Sequence, residues 1–236
     1  MAALPQQVEL RELSYRHIPG GPGVDVGCGL GRAVADLTDR GVPACGVDRS
    51  QLLVEAAHQR YPSQRFSAAD AAALPFADGT LQWYRAERVY QHLLDPVAAL
   101  TEAKRVLAGG GKVIVVDLDY ESLIITSTDP HTTRRLIDAL VEDVPYGRIG
   151  RHLPGLMAEA GLTDVTFSLR PMEYTDLDVM REALVEPAAA AGIAAGLVTT
   201  AQAEAWLADL DDLVRTNRFM LAYMAFVVVG SVPLRP

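Results

Sequence analysis

Short apolar and β-branched runs recur along the chain at GVDVG (23–27), PACGVD (43–48), QRFSAAD (64–70), LQWYRAE (81–87) and GKVIVVDLD (111–119). Between them, GRAVADLTDRG, SQLLVEAAHQRYP and DPVAALTEAKRVLAGGG repeat their apolar positions every three or four residues, the period of a helix with one buried face. Strands alternating with helices predict a parallel sheet covered on both faces. The last of these helices is expected to stop at its glycines and pass into a turn.

After Asp119 the alternation lapses. Residues 120–150 predict a polar turn, a helix from about Thr132 to Glu142 and a second turn at PYGRIG, together an insertion on the sheet rim. RHLPGLMAEAGL then predicts a helix, VTFSLRPMEY a strand, 177–216 helices interrupted by Pro187 and glycines, and FMLAYMAFVVVG a closing strand. No repeat and no linker divides the chain, so one domain over 1–236 is expected, with 120–150 and 177–216 as substrate-side insertions or lid segments.

Composition narrows the partners. A net charge of −9 argues against a surface that tracks nucleic-acid phosphates, which needs concentrated Lys and Arg. No run approaches the 18 or so apolar residues of a membrane span, so no membrane partner is expected. Two cysteines, Cys28 and Cys45, suggest neither a disulfide framework nor a metal cluster. A cytoplasmic protein acting on a small molecule is expected, and a homodimer is compatible with the composition.

The chemistry starts at VDVGCGLGR, residues 24–32, where Gly27, Gly29 and Gly31 follow the first strand. Ligands of open α/β sheets sit at the carboxyl ends of the strands, and glycine lets backbone pass close to them. The spacing is GxGxG rather than the GxxG-terminated dinucleotide fingerprint, and no GK[ST] follows for a phosphate loop. Asp25, two residues before the first glycine, disfavours pyrophosphate and favours a ligand carrying an ammonium group.

VDVGCGLGR resembles the first motif of class I S-adenosylmethionine-dependent methyltransferases, and further segments resemble that family in the expected order. GVDRS is similar to its acidic ribose clamp, AADAAALPFADGT to its third motif, and RAERVYQHLLDP with AKRVLAGGGKVIVVD to the branch that includes ubiquinone, menaquinone and natural-product methyltransferases. The resemblance implies a seven-stranded, mostly parallel, doubly wound Rossmann-like sheet with its last strand antiparallel, plus a helical lid or insertion. Gln82 departs from the family, standing where the fourth strand usually carries an acidic residue.

It further implies S-adenosylmethionine as cofactor and S-adenosylhomocysteine as product. Asp25, Gly27, Cys28 and Gly29 would line the cofactor at the first strand, although Cys28 by itself suits a small buried filler. Asp48 would take the ribose hydroxyls with Arg49 beside it, and Asp70 and Ala71 the adenine. Arg85, Ala86 and Gln91 would lie by the methionine half. His92 is the candidate base, since an imidazole with a pKa near 6.5 can take a proton from an attacking group. Tyr15, His17, His131, Tyr146, Arg148 and His152 are candidate substrate contacts, Arg148 suiting an anchor for the PYGRIG turn equally well. The expected activity is methyl transfer to O, N or C of a largely apolar small molecule. The alternative is a methyltransferase fold that holds the cofactor unreacted while it cyclises or rearranges a small molecule.

Overall fold

A computed structural model of the chain describes residues 5–234. Helix α1 (Pro5–Tyr15) leads into β1 (Gly23–Val26), α2 (Arg32–Asp39), β2 (Ala44–Asp48), α3 (Gln51–Arg60) and β3 (Arg65–Ala68). Next come β4 (Leu81–Glu87), a single 3-10 turn (Tyr90–His92), α4 (Pro96–Val106) and β5 (Leu107–Ile125). The remainder is α5 (Pro130–Asp143), α6 (Ile149–Glu159), β6 (Thr163–Tyr174), the short α7 (Asp178–Met180), a π turn (Arg181–Val185), α8 (Glu186–Ala194), α9 (Thr200–Arg215) and β7 (Leu221–Ser231).

The seven strands lie in the order β3-β2-β1-β4-β5-β7-β6. Strands β1 to β5 pair in parallel, with Asp25 opposite Gly46 on one side and Arg85 on the other. Strand β7 is antiparallel: the Gly110 amide donates to the Val232 carbonyl near the start of β5, and the Thr126 amide to the Met220 carbonyl just past its end. Strand order reverses between β1 and β4, and such a switch point opens a crevice at the strand carboxyl ends. The expected seven-stranded fold is the one observed.

Two local expectations are corrected. The helix before β5 stops at Val106, and the glycines that follow are not a turn but part of the strand. Leu81 pairs with Leu107 while Trp83 pairs with Lys112, so the glycine run forms a bulge, with Gly110 at φ +81°. Residues 120–125, expected as a polar turn, continue the strand. The Met224 amide donates to Ser122 Oγ at 2.8 Å, so this polar side chain satisfies backbone of the neighbouring strand instead of ending the pairing.

The described residues divide into two compact units, one holding 5–117, Arg151–Ser168 and 226–234, the other Leu118–Gly150 and Leu169–Ala225. In the first, Val24, Val26, Trp83, Tyr84 and Val113–Val116 are buried along the sheet. Cys28, Val34, Val54, Ala57 and Phe66 form a cluster beneath α2 and α3. Helix α3 begins at Ser50, whose Oγ accepts from Leu53 N, and α4 at Asp95, which accepts from Ala98 N ahead of Pro96. In the second unit Leu136 of α5 fills the space that a side chain on Gly192 of α8 would need. Trp206 of α9 donates to Thr133 Oγ1 at 2.9 Å, giving its buried indole a partner. Segments 120–150 and 177–216 both belong to this second unit.

Candidate active site

The three loop glycines all have positive φ, +67° at Gly27, +51° at Gly29 and +79° at Gly31. They serve different ends. A Cβ on Gly27 would stand 2.3 Å from Val89 Cγ2, and one on Gly31 2.5 Å from Phe66 Cζ, so these two let neighbouring elements close in. A Cβ on Gly29 would meet nothing within 4 Å, so that position has only its backbone conformation and open space. The amide of Gly29 donates to Asp48 Oδ2 at 3.0 Å, and Ser50 N donates to Asp48 Oδ1 at 2.9 Å. The carboxylate at the end of β2 therefore fixes the glycine loop and the start of α3 together.

Beside this loop lies a cavity of about 360 Å³, within the range of roughly 300–1,000 Å³ common to small-ligand sites. Gly27, Asp48, Arg49, Asp70, Ala71 and His92 line it, so the loop, the ends of β2 and β3 and the segment after β4 converge as the sequence suggests. Asp70 Oδ1 accepts from Ala72 N at 2.8 Å, which shapes its turn. Arg88, Val89, Leu93, Leu94 and Asp95 also contribute to the wall. Leu94 and Asp95 carried no chemical signal in the sequence; the fold brings them there because α4 starts at this rim.

Asp25 and Arg85 are placed differently from expectation, because each is the other's partner. Adjacent in register on β1 and β4, they are both buried, with Arg85 Nη1 2.6 Å from Asp25 Oδ1. Arg85 also donates to Glu87 and, through Nε, to Ser14 Oγ at 2.8 Å, while its guanidinium lies 5.2 Å from the Tyr15 ring centre. Arg11 of α1 reaches Glu87 at 3.4 Å. Burial raises the Asp25 carboxyl against the pull of Arg85. Burial also pushes on Glu87, but there Arg85 and Arg11 prevail and hold the carboxyl below its usual range. This network joins α1 to the sheet, and neither Asp25 nor Arg85 is among the cavity-lining residues.

Ala86 is buried within β4, and Cys28 is buried in the cluster under α2 and α3, as a filler would be. Gln91 is also buried; its Nε2 lies 2.9 Å from His92 Nε2 and its Oε1 has no partner. Nε2 of His92 is therefore engaged by the Gln91 amide. Burial, then Arg49 and Arg88, lower the His92 pKa, which keeps the ring neutral. Asp117, which the sequence analysis did not single out, is fully buried and accepts from the amides of Tyr90 and Gln91, fixing the segment that carries His92.

Known proteins are similar to this chain in sequence and in fold. The family model described as "Methyltransferase domain" matches residues 24–115, from the first glycine motif into β5. The chain is 31% identical over 224 residues to a 37.1 kDa transposon protein of Streptomyces fradiae, covering 90% of this chain and 63% of that one. It is 35% identical over 99 residues to a demethylmenaquinone methyltransferase of Beutenbergia cavernae, covering 42% of this chain and 41% of that one. The fold matches Haemonchus contortus phosphoethanolamine N-methyltransferase 2, solved with S-adenosyl-L-methionine, at a TM-score of 0.60 and 16% identity, over 97% of this chain and 52% of that one. Residues 24–115 thus match a methyltransferase domain, and the fold is the Rossmann-like one of the S-adenosylmethionine-dependent methyltransferases. The chain spans less than two thirds of the length of the two curated relatives just named.

None of the residues expected to touch substrate is among those lining this cavity. Tyr15 is buried over Arg85, its hydroxyl 3.5 Å from Asp36, and burial raises its phenol. His17 has its pKa lowered by burial and then by Lys112 and Arg16. His131 is exposed in the first turn of α5, and His152 is exposed on α6. Tyr146 is 39% exposed in the turn before α6. Arg148 contacts Glu121 at 3.1 Å and Glu142 at 2.8 Å, the anchoring role already suggested for it.

Proposed function

We propose that the chain transfers a methyl group from S-adenosylmethionine to an oxygen, nitrogen or carbon atom of a largely apolar small molecule. The observation that carries this is the Asp48 carboxylate on the cavity wall, bonded to the open Gly29. A carboxylate has about four acceptor sites, so Asp48 retains capacity for the two ribose hydroxyls beyond the two amides it already accepts. Asp70 and Ala71 on the same wall suit an adenine edge. The space at Gly29 and the cavity volume are consistent with the adenosyl group.

When bound, the cofactor supplies an activated methyl and its own leaving group. The protein's part is then to hold the acceptor in line, and such positioning can contribute about 7 to 11 kcal/mol of the barrier. With its Nε2 engaged by Gln91, His92 acts here as part of the cavity wall rather than as a base. We assign a substrate-facing role to segments 120–150 and 177–216, whose apolar runs favour an apolar acceptor. Both cysteines are free, which supports a reducing compartment such as the cytoplasm. Calorimetric titration with S-adenosylhomocysteine, wild type against Asp48→Ala, tests the central assignment. Loss of binding in the variant is expected, and an unchanged affinity overturns it.

A further inference from the structure

The charges on the cavity wall are unevenly satisfied. Its three carboxylates are all turned to backbone amides: Asp48 to Gly29 and Ser50, Asp70 to Ala72, and Asp95 to Ala98 at the start of α4. The guanidinium groups of Arg49 and Arg88, on the same wall, make no hydrogen bond or ion pair with another described residue. Arg11, Arg32, Arg40, Arg85 and Arg105 of the same unit each contact a carboxylate, and Arg49 and Arg88 are the arginines on this cavity wall. The carboxylates thus have acceptors turned to backbone, while the two guanidinium groups keep their N–H donors free on the wall, donors that suit an anionic group.

Backbone geometry gives a second, independent sign. Arg88 has φ +56°, and the other non-glycine residues in that region are Asp164 and Asn217, types that adopt it readily in turns. An arginine there costs on the order of 1–2 kcal/mol and persists only where its surroundings fix it. They do so here: Arg88 N donates to Val116 O at 2.8 Å, and Val89 presses on Gly27. The strained residue keeps its side chain on the cavity wall, exposed and unpaired.

We infer that Arg49 and Arg88 form a recognition site for an oxyanion, a carboxylate or phosphate carried by the methyl acceptor. The acceptor is then an apolar molecule with an acidic group, and the planar guanidinium forks match such a group in bidentate fashion. Neutral His92 lies between the influence of both arginines and adds no charge of its own to the site. This inference rests on the cofactor reading above for the source of the anion, while the site itself can be measured without it.

The test follows the arginine Nε–H resonances by NMR, assigned with Arg49→Gln and Arg88→Gln, as the S-adenosylhomocysteine-saturated protein is titrated with benzoate, phenyl phosphate or neutral benzamide. Saturable shifts of both resonances with one or both acids in the millimolar range are expected, with none from benzamide. Binding roughly tenfold or more weaker in Arg88→Gln, partly restored in Arg88→Lys, is also expected. Whichever acid binds more tightly distinguishes carboxylate from phosphate. Shifts no larger than those from benzamide overturn the inference. So does a loss of S-adenosylhomocysteine affinity in Arg88→Gln with 5′-methylthioadenosine binding unchanged, since the arginine would then serve the cofactor's own carboxylate. If wild type binds neither adenosyl compound, the proposed function fails instead, and the same anion titration on the ligand-free protein still decides the arginine site either way.

Discussion

The Gly29 amide donates to Asp48 Oδ2 at 3.0 Å, so the glycine loop after β1 and the acidic end of β2 act as one unit. The carboxylate orders the loop that has to admit the ligand. Asp48→Asn is therefore expected to weaken S-adenosylhomocysteine at least about tenfold, because an amide NH2 replaces one acceptor and faces an N–H donor. Calorimetry on the folded variant checks this, with near-wild-type affinity as the contrary result.

The loop glycines separate binding from stability. Gly31→Ala collides with Phe66 and Ala57 and should lower the urea midpoint clearly. Gly29→Ala meets no neighbour, so its stability cost is the left-handed backbone alone, about 1–2 kcal/mol, while ligand affinity falls further. Paired denaturation and binding curves would show the opposite ranking if Gly29 had only a folding role.

Arg85→Met should destabilise the protein by roughly 3–5 kcal/mol, since it leaves Asp25 buried without its partner and takes one cation from Glu87. Adding Asp25→Asn to Arg85→Met should restore part of that loss. Urea unfolding of both single variants and the double measures the coupling, and strict additivity would contradict the pairing.

Acid should act through Glu87. Arg85 and Arg11 outweigh burial and hold its folded pKa below the usual 4.5, so its stabilising share is complete above about pH 4.5 and is lost as pH falls through the folded value. Thermal midpoints between pH 3 and 7 should fall less steeply at the acid end in Glu87→Gln than in wild type, although the variant starts lower.

His92→Ala should slow turnover by less than about tenfold, short of the 10² to 10⁴ that a general base contributes. The basis is the Gln91 amide 2.9 Å from His92 Nε2. A kcat loss of several hundredfold, with an acid limb in the pH profile removed by the substitution, would make His92 the base after all.

Much of the fold was legible because strand and helix periods depend on local patterning, which a single sequence displays. The seven strands and the convergence of Asp48, Asp70 and the glycine loop follow from that pattern and from motif order. Boundaries were less legible where long-range pairing overrides local preference. Glycines 109 to 111 look like a helix stop followed by a turn, yet β4 and β7 recruit them into a bulged strand.

By itself, the sequence determined which residues stand at the carboxyl ends of the strands, since strand ends and loop glycines are set by neighbours in the chain. Only the tertiary structure decided which charges are spent. Asp25, expected to face the ligand, is paired with Arg85 across the β1–β4 pair, while Arg49 and Arg88 on the cavity wall make no ion pair with a described residue. Pairing of that kind joins residues about 60 positions apart through strand register, and no local pattern records it.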